Sequence, residues 1–477
     1  MKNKLLDKDL VDYTLEYAKN KKIEFAEARA QSQNRESIIL KNDILEAYST
    51  VVNSGLCVRI LTENGLGFAS TNKWTREEAK DIVNTAFKMA NSAKRKTKIK
   101  FVEEKAVKTK WKVQQKKKIE DISPETKIDK LMEINKTLTT QGINIPAQML
   151  SCSIALTQKY FVNSEGTVIS SSIPSIGMYN FITVVENGKP EQAYKQYGYS
   201  GGWEAHDKWK VAEDLVREAK ALQKLIKEGK TVSPGNMDLV CGPEVVGIAA
   251  HESCGHPMEA DRILGREMSQ AGKSFIYKDG SFWIGTKIGS DIVTIIDDPT
   301  IKNSYGYYEY DDEGIKARPR YLYKKGVINE FLHNRETAAK IGTKSNGASR
   351  AINYDREAIV RMANTFVQPK DMSEDEIFED VKHGVYMKSF TEWNIDDRRF
   401  NQRYVGREAY LIEKGELTTP IARPIIETTT KTFWTAVDAI TKTVVFDSGT
   451  CGKGDPMQGM PVYFGGPMIR LRGVFVK

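Results

Sequence analysis

Two rhythms of apolar and polar residues run along this chain. Over residues 7–22 the apolar positions are Leu10, Val11, Tyr13, Leu15 and Tyr17–Ala18, the three- and four-residue spacing of an amphipathic helix. Short strand-like pieces follow at 25–33, 36–40, 45–49, 55–61 and 65–70, and Asn64-Gly65 between the last two predicts a tight hairpin. Helical spacing returns at 76–92. Ser123-Pro124 supplies an N-cap and a first helical position for a helix reaching about Thr139. Alternating stretches at 148–162 and 167–185, broken by Asn163-Ser164-Glu165-Gly166, predict strands, and 207–229 predicts a long, charged amphipathic helix.

The pattern changes near Thr231-Val232-Ser233-Pro234-Gly235, where we place the main boundary. Beyond it come many short strands punctuated by Gly and Pro, at 282–285, 292–296, 327–331, 358–366, 408–413, 432–439, 442–446 and 468–475. The expected class is α+β. An α/β N-terminal domain with a mixed or antiparallel sheet spans 1–230, and a β-rich C-terminal domain, a sheet assembly or barrel, spans 231–477.

Composition narrows the class. The chain has 477 residues, 40% apolar and 28% charged, enough to bury a sizeable core and too apolar for a disordered protein. No run approaches eighteen uninterrupted apolar residues, so no membrane span is expected. The first residues are too charged for a secretory signal, and the protein is expected to be cytoplasmic. Five scattered cysteines, an odd number, do not make a disulfide framework. In a reducing compartment each is core filling, a metal ligand or a nucleophile.

Charge adds one feature. Residues 94–118 carry twelve Lys and Arg against Glu103 and Glu104, a net of +10 in a chain whose total is +8. The basic excess therefore belongs to one segment, which reads as a solvated linker or a lysine-rich exposed strand. No nucleic-acid-binding module accompanies it, so nucleic acid is not an expected partner; polyanion binding through 94–118 is the lesser reading.

The chemistry concentrates after a short apolar strand at 237–241. Gly242-Pro243 suits a helix start, with Glu244 in its first turn, and Val245 to Ala250 are apolar nearly all round. This helix is expected to be buried, and it ends in His251, Glu252 and His256. Buried groups of that kind need partners, which a cation would supply. The spacing is His-Glu-x-x-x-His, and five residues of regular α-helix set the two imidazoles about 140° apart. They converge only if the helix widens by a π-type turn or breaks, and Pro257 disfavours α conformation at His256. Two histidines do not complete a catalytic zinc site, which ordinarily has three protein ligands and a water. Candidates for the third are Cys254, Cys451, the histidines at 206, 333 and 383, and carboxylates. Cys254 would chelate awkwardly from the opposite side of the same turn. Cys451, in a glycine-rich stretch after an apolar strand, leads it modestly. Cys57, Cys152 and Cys241 read as core thiols.

The run His251-Glu252-Ser253-Cys254-Gly255-His256-Pro257-Met258-Glu259-Ala260-Asp261 resembles the His-Glu-x-x-Gly-His-x-x-Glu-Gly-Asp signature of the TldD/PmbA metalloprotease family. The likeness continues through residues 310–314, 360–365 and 451–453, and 55–60 with 67–72 is similar to the family's N-terminal block. It covers nearly the whole chain, in order. Departures are Pro257, Ala260 and the cysteine at 254. The resemblance implies one Zn²⁺ held by His251, His256 and Cys451, with Glu252 as general base for a metal-bound water. It also implies an α/β first part, a β-rich catalytic second part, and a dimer in which a catalytic subunit pairs with itself or with a related subunit lacking the motif. This chain keeps the motif and is similar to the catalytic TldD type. The function implied is a zinc-dependent peptidase cutting unfolded peptides or small-protein segments, with the peptide bound extended along a sheet edge. Asp261 and Asp312 are expected near the ligands or along the groove. The alternative is a non-catalytic scaffold subunit.

Overall fold

The computed structural model describes residues 6–95, 97–267, 272–278 and 281–477. The predicted first helix forms as α1 (Lys8–Lys19), with the Asp7 carboxylate accepting the Leu10 N–H at its start. The four strand pieces expected between 25 and 61 merge into two long strands, β1 (Phe25–Lys41) and β2 (Ile44–Thr62). Their polar interruptions do not end them, because Gln33 pairs with Asn53 and Asn34 with Val52 in one ladder. The hairpin at Asn64-Gly65 leads into β3 (Gly65–Thr71), and α2 (Arg76–Ser92) packs back on β3. Within the basic segment, β4 (Lys108–Lys112) runs parallel to a later strand, with Trp111 inward and Lys108, Lys110 and Lys112 exposed. Then come α3 (Pro124–Thr139), capped by Ser123, and the strands β5 (Ala147–Asn163), β6 (Val168–Glu186) and β7 (Lys189–Ser200). The expected helix at 207–229 is two, α4 (Glu204–Lys208) and α5 (Val211–Glu228), separated at Trp209 and Lys210.

These strands form one seven-stranded sheet in the order β3-β2-β1-β5-β6, with β4 and β7 both on β6. Period-two alternation gives it two different faces. On one, Ala26, Ala28, Ala30, Ile38 and Leu40 of β1 lie under the helices, α1 and α2 over one end and α3 and α5 over the other. The opposite face of β1 carries Glu27, Arg29, Gln31, Gln33 and Arg35. It meets the second half of the chain, where Gln31 Nε2 donates to the Ile352 carbonyl (3.1 Å) and Lys159 of β5 pairs with Asp312 (2.7 Å).

The second half holds a nine-stranded and a six-stranded sheet. β8 (Gly235–Cys241) lies inside the nine-stranded sheet, between Ile469–Val476 and His383–Met387. It feeds α6 (Pro243–Ala250), which lies on the strands Asn364–Val367, Val445–Lys453 and Gln458–Gly466 of the six-stranded sheet. Gly247 lets it do so: a Cβ there would stand 2.7 Å from the Gly465 nitrogen. The strand expected over 432–439 is instead a helix, Thr430–Thr435, capped by Thr429, followed by the strand Val437–Ile440. Burial of Phe433 and Trp434 accounts for the apolar run. The α+β class is the one the sequence predicts. Among the described residues no helix is long and apolar enough to cross a membrane.

Candidate metal centre

Helix α6 carries its chain straight into a π-helical turn, His251–Gly255, in which the His256 N–H donates to the His251 carbonyl. An i→i+5 turn sets residues five apart on one face. The two imidazoles accordingly meet, ring centroids 4.9 Å apart and planes at 82°. Pro257 then opens a short 3₁₀ turn, His256–Met258. Trp434 Nε1 donates to the Ser253 hydroxyl (2.9 Å), pinning the turn from behind. The distortion forecast from the spacing is present.

Cys451 arrives from 195 residues away, its Sγ 3.4 Å from His256 Nε2. Nitrogen and sulfur atoms of His251, His256 and Cys451 all lie within 4.8 Å of one another, and all three residues are buried. Cys451 does not sit in a loop, as its glycine-rich surroundings suggest. It belongs to the strand Val445–Lys453, opposite Met460, and the loop begins only after Lys453. Burial pushes the Cys451 thiol up, but His256 and the Arg361 guanidinium together outweigh it and bring it down to about 7. Burial alone pushes the Cys254 thiol up; it lies against Ser253 (3.6 Å) and belongs to the hydrophobic core. Its place among the candidate ligands is taken by Cys451.

Glu252 points into the same cavity, about 270 Å³ in volume, which His251, His256, Cys451, Trp393 and Arg399 also line. Burial would raise its carboxyl; His256, Arg399 and His251 outweigh that and hold it below the usual carboxylate range, helped by a hydrogen bond from Trp393. Arg399 forms an ion pair with Glu252 through Nη1, from a backbone in the left-handed region (φ 64°). Asp396 fixes that turn by accepting from the Phe400 N–H (2.8 Å) and the Asn401 amide. Nothing in the sequence signals Arg399, which lies 147 residues from its partner. Glu259 was legible only as a letter of the signature, yet its Oε2 lies 2.9 Å from His256 Nδ1. Lys453, Arg262 and His256 outweigh burial and keep it well below the ordinary carboxylate range.

The remaining expected residues lie farther out. Asp261 receives Lys453 Nζ (2.7 Å), which also reaches Glu259 (3.4 Å), so it connects to His256 through two intermediaries. Asp312 lines neither the histidines nor their cavity: it binds Lys159 and the Ala351 N–H (2.8 Å), where the two halves meet. His206 stacks on Trp203 and His333 lies beside Thr337, both as structural residues.

The donor set fits a divalent cation of the zinc type. One nitrogen of His251, Nδ1, is buried without a hydrogen-bond partner; burial shifts that imidazole toward its neutral form; and the thiol is drawn toward thiolate.

Family profiles described as the PmbA/TldA metallopeptidase domain 1, central domain and C-terminal domain match residues 26–90, 117–223 and 234–477. A metalloprotease of Methanocaldococcus jannaschii is 30% identical over 449 residues, 94% of this chain and 96% of that one. A zinc metalloprotease TldD homolog of Saccharolobus solfataricus is 27% identical over 431 residues, 88% of this chain and 89% of its own. In fold, the crystal structure of TldE from Thermococcus kodakarensis superposes with a TM-score of 0.76 at 16% identity, over 98% of this chain and 99% of that one. The chain therefore belongs to the PmbA/TldD metallopeptidase family and is a metalloprotease.

Proposed function

We propose that the chain is a zinc-dependent peptidase that holds one Zn²⁺ on His251, His256 and Cys451 and uses Glu252 as general base. The observation that carries this reading is the convergence of those three donors within 4.8 Å, with Glu252 facing the same cavity. Bound there, the ion would act as a Lewis acid and make a water more acidic. The chain's own residues do the rest. Glu252, ionised and next in sequence to a ligand, takes a proton from water and returns it to the leaving amine. Arg399 and Trp393 hold its carboxylate in place. Glu259 fixes the His256 tautomer, leaving Nε2 free to face the ion.

An extended, unfolded peptide is the substrate form we favour. The strand Val445–Lys453 is the last of the six-stranded sheet, and residues 447–452 line the cavity, so a peptide could pair along that edge. In this reading 1–230 supplies the facing wall, through Tyr179, Tyr194, Lys195 and Gln196, and 231–477 supplies the chemistry. A dimer, of two copies or with a related subunit, is part of the same proposal. It is supported by exposed Ile44, Val51 and Val52 on the stretch of β2 that β3 leaves uncovered. Five buried free cysteines agree with a reducing compartment such as the cytoplasm.

Metal analysis and peptide cleavage test the reading together. Cys451→Ser should lose the metal and Cys254→Ser should keep it. Glu252→Ala should keep the metal and lose cleavage. Metal lost only from the Cys254 variant, or cleavage retained without Glu252, would overturn the corresponding assignment. Purified protein without metal affinity would point to the scaffold subunit instead.

A further inference from the structure

A second cavity of about 460 Å³ opens beside the first. One wall is the polar face of β1, β5, β6 and β7; the other comes from residues 305–307, 350–352 and 459–461. Tyr179, Gln196 and Thr450 line both cavities, and Gln196 Nε2 donates to the Thr450 hydroxyl (3.0 Å), so this bridge marks the neck between them. Thr450 precedes Cys451. A chain passing the proposed metal centre along that strand therefore reaches the second chamber directly.

Its chemistry is one-sided. Arg35, Lys159 and Arg350 line it, and among the described residues no Asp or Glu does. Lys159 (2.7 Å) and the nearby Arg29 (4.0 Å) share one carboxylate, that of Asp312. Arg350 is buried, with Nη1 donating to the Met362 (2.8 Å) and Pro461 (3.1 Å) carbonyls and its guanidinium over the Tyr308 ring; Asp312 and Asp297 act on it only from beyond ion-pair distance. Arg35, at the rim, has no ion pair among the described residues. Guanidinium groups with no carboxylate in direct contact, in a partly enclosed polar space, bind carboxylates through charge-assisted hydrogen bonds.

We propose that this chamber is a substrate subsite for a carboxylate, either an acidic side chain or the C-terminal carboxylate of the peptide being cut. The inference rests on the peptidase reading and names the kind of substrate it favours.

The test uses the full-length, zinc-loaded Glu252→Gln protein and four matched peptides: acidic or amide side chains, each with a free or an amidated C-terminus. Calorimetry should show the carboxylate forms binding about tenfold more tightly than their neutral counterparts. Whether side chain or terminus carries the gain identifies the source. In the same background, Arg35→Gln at the exposed rim should reduce that acid-over-amide ratio at least about threefold, and added salt should reduce it too. Arg350→Gln should reduce it further, with thermal unfolding checking that the variant folds. Equal binding of all four peptides, or an acid preference unchanged in both variants, overturns the subsite. If the wild type cuts acidic and neutral peptides equally well, the subsite fails and the peptidase stands. If acidic peptides bind preferentially but none is cut, the subsite stands and the peptidase reading fails.

Discussion

Glu259 Oε2 stands 2.9 Å from His256 Nδ1, while Arg262 Nε and Lys453 Nζ reach the same oxygen. The imidazole is thereby fixed with Nε2 toward Cys451 Sγ. Removing the charge without changing the shape should loosen that orientation. We predict that Glu259→Gln lowers zinc affinity about 10- to 100-fold in competition with a chromophoric chelator. It should also lower the melting temperature, since buried Arg262 loses the carboxylate it contacts and Lys453 keeps only Asp261. Unchanged affinity would mean that His256 is held by packing alone.

The ion pair of Glu252 with Arg399 leads to a second expectation. Arg399 reaches the cavity from a left-handed turn that Asp396 stabilises, so its side chain is aimed rather than free to wander. Arg399→Met should leave metal content intact and reduce peptide cleavage by about 100-fold, through loss of a correctly placed base. Arg399→Lys should restore part of the rate. A variant with wild-type kcat would remove Arg399 from the catalytic arrangement.

Gly247 sets how closely α6 approaches the strand Gln458–Gly466, whose hairpin partner carries Cys451. An alanine Cβ would stand 2.7 Å from the Gly465 nitrogen and 2.8 Å from its Cα, and backbone cannot step aside as a side chain can. Gly247→Ala should cost about 2 kcal/mol in denaturant unfolding and weaken zinc binding, because the helix bearing the histidines moves away from the sulfur.

Glu244 gives a pH-dependent prediction. Burial raises its carboxyl to about 7, against the pull of Arg407 3.4 Å away. The unfolded chain titrates near 4.5. Between those values the folded protein keeps a proton that the unfolded chain has released, so stability falls as pH rises through the window. Glu244→Gln removes this cost. The variant should be more stable than its parent by about 3 kcal/mol at about pH 8, and the two should converge at about pH 4.5. Thermal unfolding of both at the two pH values decides it. An equal difference at both would assign the effect to packing.

Much of this was legible along the chain, because the forces involved are local. A spacing of five between two histidines, followed by Pro257, left a π-type turn or a helix break as the ways to bring the imidazoles together, and the π turn that forms is settled by hydrogen bonds within a few residues. Periodicity likewise placed α1 and α2, the Ser123-Pro124 cap placed α3, and alternation placed β5. Three matters were decided only by tertiary structure. Spacing alone separated Cys254 from Cys451 only modestly; strand pairing of Cys451 with Met460, and burial of Cys254 in the core, separate them in space. The sequence predicts separate strand pieces at 25–33 and 36–40, but not that they join into one strand whose polar face, with Gln31, Gln33 and Arg35, is enclosed by other elements instead of water. Arg399 reaches Glu252 across 147 residues, a distance over which no local rule of turn, cap or period acts, so only the packing of one sheet on another could bring them together.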